Sequence, residues 1–327
     1  VARLRLTAAI GDYDHVRDIW SGGVSVEGVE LTHLQLPVEE IFHRFTLYRE
    51  WEVSEMSLGR FVALRSRGDE SMVALPVFPS RVFRHSALYV PDGSALENPG
   101  DLAGRRVGVP EWAQTAVIYI RGVLSDRYGV GLGDVDWYQA GLEQPGRAEA
   151  VPITLPAGVR LTRVGERSLS RMLLTGELDA VISARAPAAF ADGRVRRLLR
   201  DAPAVEEAYW RETGVFPIMH VIVIRRDVHD AHPWLAMSLF KAFDAARRSS
   251  LERLTAMSQS HHPLPWGRDY AERWRGLFGG EYWPYGLEGN RATLETFLRY
   301  AYESGVCGRP LTSDELFPAS VLKPYLV

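Results

Sequence analysis

The sequence predicts an α/β protein of two lobes, each a mixed, mostly parallel sheet flanked by helices, with a ligand cleft between them. Three observations predict it. The chain has 327 residues, more than one hydrophobic core usually serves. Short apolar runs alternate with segments of helical period, the rhythm of parallel strands covered on both faces. That rhythm breaks at Pro91-Asp92-Gly93-Ser94 and then restarts, as though a second unit were inserted into the first. Lobe 1 is expected over 1–90 plus 202–327, with a helical C-terminal extension, and lobe 2 over 91–201.

Taken in order, Leu4 to Ile10 reads as a buried first strand ended by Gly11-Asp12. A short helix follows from Asp14 to Trp20, closed by Gly22-Gly23, since glycine accepts the left-handed cap conformation. Val29 to Leu36 is the second strand. Pro37 starts a helix in which Val38, Ile41, Phe42 and Phe45 share one face, with Glu39 and Glu40 in the first turn where the helix dipole favours negative charge. A strand around Val53-Ser54-Glu55, a helix from Leu58 to Ser66, and apolar runs at Met72 to Phe78 and Ser86 to Val90 lead to the break.

Beyond it, Arg106 to Val109 is a strand entering a helix with Ala113, Ala116, Val117, Ile120 and Leu124 along one face. Val135 to Tyr138 is a strand, Ser168 to Thr175 a helix closed by Gly176, and Leu178 to Ser183 a further strand. After an Arg-rich connection from Arg194 to Arg200, Met219 to Ile224 is a strand, and Leu235, Leu239, Ala242, Phe243 and Ala246 mark the inner face of a strong amphipathic helix. The remainder reads as helical from about His261, with His261-His262 in a structural loop.

Composition narrows the function. Apolar residues make up 46% and charged residues 24%, ordinary for a folded soluble chain. A net charge of −3 gives no basic field for nucleic acid and no membrane patch, and no apolar run reaches the ~20 residues that cross a bilayer. The single cysteine, Cys307, excludes an intrachain disulfide and a Cys-based zinc site. Val1-Ala2-Arg3-Leu4 enters a strand-like pattern with no charged-then-apolar signal segment, which favours the cytoplasm; a start at Val1 leaves a removed export signal open. Gly-rich stretches match neither a dinucleotide fingerprint nor a P-loop, and neither His-Glu-x-x-His nor Gly-x-Ser-x-Gly occurs. No cofactor and no metal is expected; a homo-oligomer is left open.

Ligands of open α/β sheets sit at the C-terminal ends of strands, so polar residues there are the candidates. The densest group is Ser80-Arg81-Val82-Phe83-Arg84-His85-Ser86, where Arg81 and Arg84 could grip carboxylates and His85 could carry a titratable proton. Its bland alternative is a solvated turn. Glu55 and Ser57 end the next strand; Ser57 could equally cap the following helix. Thr115 stands at a strand-to-helix turn, where free N–H groups bind anions, and Arg121 flanks that helix's apolar stripe. His220 lies inside an apolar run and could be a core histidine.

Several strings carry a family resemblance: Gly11-Asp12-Tyr13-Asp14, Glu55-Met56-Ser57-Leu58, Phe83-Arg84-His85-Ser86, Arg106-Val107-Gly108-Val109-Pro110-Glu111 and Trp283-Pro284-Tyr285-Gly286. Over nearly the whole chain the sequence resembles the 4,5-dihydroxyphthalate decarboxylase family. The resemblance implies a type II periplasmic-binding-protein-like fold, an aromatic carboxylate as partner, and loss of CO2 to give protocatechuate. For that reaction Arg81 and Arg84 are expected to clamp carboxylate, helped by Ser57, Thr115 and Arg121. His85 is expected as the acid toward the ring carbon, with Glu55 or His220 as the base toward the phenol. A non-catalytic substrate-binding protein for an aromatic or dicarboxylic acid, of the transporter-linked kind, is the alternative; a related enzyme on another hydroxylated aromatic acid is a third.

Overall fold

The computed structural model describes residues 3–256, 261 and 263–322; Val1, Ala2 and His262, on which sequence expectations rest, lie outside them. The chain opens on β1 (Leu4–Ala9) and α1 (Asp14–Trp20), which turns Val16 and Ile19 inward. After β2 (Val29–Leu34), α2 (Val38–Tyr48) begins directly behind Pro37 and buries Ile41, Phe42 and Phe45. β3 (Val53–Ser57) is buried at every residue, as a strand in mid-sheet must be, and passes without a loop into α3 (Leu58–Arg65). β4 (Met72–Leu75) ends this half.

The second half begins with β5 (Leu88–Pro91) and β6 (Arg106–Val109), followed by α4 (Thr115–Tyr128). β7 (Asp136–Gln139), β8 (Arg160–Arg163), α5 (Leu169–Leu174), β9 (Ala180–Ile182) and β10 (Val195–Arg197) complete it. α6 (Ala202–Thr213) leads to β11 (His220–Arg225). Then come α7 (Arg226–Ala231), α8 (Leu235–Thr255), α9 (Gly267–Leu277) and α10 (Arg291–Glu303).

The strands form two sheets, ordered β2-β1-β3-β11-β4 and β10-β5-β9-β6-β7-β8. Each is parallel but for one strand: β11 runs against β3 and β4, and β5 runs against β9 and β10. These are the strands by which the chain enters one sheet from the other. The run Ser86 to Val90, read from sequence as the end of the first lobe, is corrected here. His85–Ala87 is a single 3-10 turn, and β5 pairs in the second sheet, so the chain changes sheets before Pro91. Backbone pairing decides this, and the apolar content of a short run carries no such information.

The two crossing segments lie side by side. Arg81 pairs with Ile218 as an isolated antiparallel bridge, and the Met219 N–H donates to the Ser80 carbonyl at 2.8 Å. One buried apolar cluster runs from the first sheet into the second, joining Leu6 and Met56 to Val107 and Ile182. α10 packs against both α3 and α4. Among the described residues no helix is long and apolar enough to cross a membrane.

Candidate active site

Between the sheets lies a cavity of about 850 Å³, walled by α2, the ends of β3 and β6, the crossing segments and the loop after β9. The deepest chemistry in its wall comes from the β3–β11 register. His220 stands opposite Ser57 and Ile222 opposite Glu55, so His220 and Glu55 are diagonal neighbours on one face of the sheet. The His220 Nδ1 and Glu55 Oε1 are 2.5 Å apart. The same oxygen accepts from the Tyr13 hydroxyl at 2.6 Å, and Oε2 accepts from the Gly11 N–H at 2.8 Å.

Burial alone would raise the Glu55 carboxyl, but the His220 ring, the Tyr13 hydroxyl and the Gly11 N–H outweigh it and hold the group below its usual range. An ionised Glu55 accepts a hydrogen bond from Nδ1–H, which leaves Nε2 on the far edge of the ring. His220 itself lines the cavity, with Phe42 edge-on to its ring at 4.8 Å between centroids. This carboxylate–imidazole pair can accept or return a proton at Nε2 while Glu55 steadies the imidazolium.

Across the cleft, α4 starts at Gln114 with no side-chain cap, and Thr115 and Ala116 line the cavity. The unpaired N–H groups of such a start suit a carboxylate. The Thr115 hydroxyl meets Ser57 Oγ at 3.1 Å and accepts the Gly59 N–H at 3.0 Å. Ser57 also caps α3, its side chain accepting the Arg60 N–H, as the capping reading of that residue expected. The approach is close enough that a Cβ on Gly59 would come within 2.4 Å of the Ala113 carbonyl. Arg84 lines the cavity, its Nε 3.0 Å from Met219 Sδ and its Nη1 donating to the Ala184 carbonyl at 3.3 Å. Burial lowers it to about 10, which leaves it charged at neutral pH. Arg60 donates to both oxygens of Glu111 at 3.1 Å, and Arg147 Nε donates to Glu111 at 2.7 Å, an ion pair joining the two lobes.

Five of the sequence candidates meet at this cavity or its wall: Glu55, Ser57, Arg84, Thr115 and His220. Three stand elsewhere. Arg81 turns away, donating to the Phe216 and Pro284 carbonyls and to Asn290 Oδ1, with its guanidinium over the Phe78 and Phe216 rings. It rivets the crossing segments to the C-terminal extension. His85 is only 2% exposed, lies against Tyr209 and leaves both ring nitrogens buried without a partner. Burial, then the Arg127 charge, pushes it down to about 4, so it is neutral at pH 7. Arg121 is buried over the Trp112 ring at 3.7 Å and donates to the Trp112 carbonyl. His261 is exposed and off the cavity.

Sequence reasoning missed Gly11, Tyr13, Arg60 and Glu111 as parts of the site. Gly11 and Tyr13 directly follow the first strand, a position that could have flagged them. Arg60 looks like an exposed helical arginine until its partner across the cleft is seen. Among the described residues no group of three or more His, Cys, Asp or Glu converges as metal ligands do.

No model of a known protein family matches the chain. Among curated proteins it is 36% identical over 330 residues, 100% of each chain, to the 4,5-dihydroxyphthalate decarboxylase of Comamonas testosteroni. To that of Pseudomonas putida it is 37% identical over 212 residues, 64% of this chain and 82% of the other. Among solved structures, the periplasmic aliphatic sulphonate-binding protein SsuA of Escherichia coli matches at TM-score 0.55 and 11% identity, covering 98% of this chain and 99% of that one. The desulfurization enzyme DSZB matches at TM-score 0.50 and 16% identity, covering 98% of each. At those identities the structures speak for the fold alone, a two-lobed type II periplasmic-binding-protein-like architecture. The full-length sequence match speaks for descent, and the chain belongs to the 4,5-dihydroxyphthalate decarboxylase family.

Proposed function

We propose that this protein is a carboxy-lyase that removes CO2 from a hydroxylated aromatic dicarboxylate, 4,5-dihydroxyphthalate giving protocatechuate. The observation that carries this reading is the Glu55–His220 pair, with Nε2 left for a cavity that also offers Arg84 and an uncapped helix start. A protein that only carries a ligand needs the cation and the N–H groups; it has no use for a buried carboxylate orienting an imidazole.

Direct loss of CO2 would leave an electron pair in the plane of an aromatic ring, so the ring carbon must gain a proton first. Each carboxylate of 4,5-dihydroxyphthalate has a hydroxyl para to it, which supplies the electrons. His220 accepts the phenol proton at Nε2, and the ring becomes electron-rich at the carbon bearing the departing carboxylate. The imidazolium, held by Glu55, returns the proton to that carbon. The carbon–carboxylate bond then breaks, its electron pair restores aromaticity, CO2 leaves and the phenolate regains a proton from water. Arg84 and the start of α4 hold the retained carboxylate. The departing one is assigned to the apolar side of the cavity at Phe42 and Val38, since equal stabilisation of both would favour the bound substrate over the transition state.

The substrate is its own electron sink, so the protein's own side chains can perform each step. Incubation of chelator-treated protein with 4,5-dihydroxyphthalate, following CO2 and protocatechuate, tests this. Equimolar release of both is expected. Tight binding without turnover would support the binding-protein reading instead.

A further inference from the structure

We infer that Tyr13 is a positioning residue that keeps Glu55 a carboxylate and thereby fixes which nitrogen of His220 faces the cleft unprotonated. The inference rests on the acid–base role proposed for His220 and extends it to a residue outside the cavity wall.

Glu55 has no exposed surface, and its charge is sustained by the His220 ring and by the hydrogen-bond donors around it. The Gly11 N–H serves Oε2, while the Tyr13 hydroxyl and His220 Nδ1 converge on Oε1. Tyr13 Oη is 2.6 Å from the carboxylate and 3.4 Å from Nδ1, so its proton points to the acid and not to the ring. With that donor gone, a buried carboxylate is short of hydrogen bonds and gains a proton more readily. A protonated Glu55 would donate to Nδ1. The neutral imidazole would then carry its one proton on Nε2 and present no lone pair to a phenol.

The turn after β1 is shaped to hold this donor. A Cβ on Gly11 would lie 2.9 Å from the Tyr13 ring and 3.2 Å from Glu55 Oε2, so only glycine admits the ring and gives its N–H to the same carboxylate. His15 packs on Tyr13 at 5.4 Å between centroids, and Trp283 on His15 at 5.2 Å, which fixes the ring from its outer side. Burial and the Glu55 charge hold the Tyr13 hydroxyl protonated, so toward Glu55 it is the donor.

The test is Tyr13→Phe, which keeps the ring and removes the hydroxyl. Two-bond ¹H–¹⁵N spectra of histidine-labelled protein read the tautomer without any substrate. The wild type should show the His220 proton on Nδ1, and Tyr13→Phe should shift it toward Nε2. In kinetics, kcat should fall about tenfold to a hundredfold, the scale of one hydrogen bond to a charged group, with KM unchanged within about twofold. Gly11→Ala, which displaces the ring, should give the same tautomer shift and serves if Tyr13→Phe fails to fold by circular dichroism. A wild-type tautomer in folded Tyr13→Phe overturns the inference, as does a raised KM at unchanged kcat, which would make Tyr13 a substrate ligand. If the wild type binds 4,5-dihydroxyphthalate without turning it over, the decarboxylase reading fails and the tautomer comparison still decides this inference.

Discussion

A histidine can move a proton for a substrate only when one ring nitrogen is held and the other is accessible. The histidines of this protein separate on that criterion. His220 has Nδ1 on Glu55 and its ring in the cavity wall. His85 has both nitrogens enclosed and unpartnered. His85→Phe is therefore expected to keep its activity, since no proton path reaches that ring; loss of turnover in a folded His85→Phe protein would return it to the mechanism. Stability gives an independent reading. The folded-state value for His85 is about 4 against an ordinary 6.5, so between these values the unfolded chain binds a proton that the folded chain refuses. That stability is fully present above about pH 6.5 and is lost as pH falls toward 4, about 2 kcal/mol of it between pH 7 and pH 5. Urea unfolding at those two pH values should show this loss in the wild type and a smaller one in His85→Phe.

At the scale of elements, the site is made by register and by helix starts. One residue's slip of β11 against β3 would turn His220 to the opposite face and separate it from Glu55. Arg84 sits on the first crossing segment, lines the cavity and bonds to a carbonyl beyond β9, so it joins both lobes at the cavity wall. Arg84→Gln should raise KM for a dicarboxylate at least about tenfold with a smaller effect on kcat, the mark of a group binding substrate and transition state alike. An unchanged KM would remove it from the clamp. Gly59→Ala should lower thermal stability, because its Cβ would press on the Ala113 carbonyl.

Much of this architecture was legible in the sequence where an element carries one buried face. α2 and α8 show themselves by period. β8 did not, because Arg160-Leu161-Thr162-Arg163 edges its sheet and is largely exposed, and β10 did not, because Val195-Arg196-Arg197 reads as part of an Arg-rich connection. Glu55, Ser57, Thr115 and His220 could be nominated because they adjoin buried strands. Within Ser80 to Ser86 no period applies, so nothing distinguished Arg84, which faces the cavity, from Arg81 and His85, which face inward. Partners distant in sequence, such as Tyr13 for Glu55 and Glu111 for Arg60, appear only once the sheet is assembled.

Over the whole molecule, two lobes on paired crossing segments suggest hinge closure, but the C-terminal extension restrains it. Trp112 Nε1 in the second lobe donates to the Ser304 carbonyl at 2.7 Å, and the Thr154 N–H donates to the Gly305 carbonyl at 2.9 Å. Tyr300 of α10 packs so closely on α4 that a Cβ on Gly122 would lie 2.2 Å from its ring. With one apolar core shared by both lobes, a wide opening would expose buried surface. Small-angle scattering with and without a bound aromatic dicarboxylate should therefore give the same radius of gyration within error, and a marked decrease would show the hinge to be free. Restraint of the two lobes would hold the His220 ring in place over a bound ring, as the proposed proton transfer requires.

Acid–base chemistry at His220 is tested most directly by comparing the wild type with His220→Gln on 4,5-dihydroxyphthalate, measuring CO2 release together with binding by calorimetry. The wild type should release one CO2 per substrate. His220→Gln should bind within a few-fold of the wild type yet turn over about 10² to 10⁴ times more slowly. A His220→Gln protein that decarboxylates at the wild-type rate would contradict the proposed chemistry.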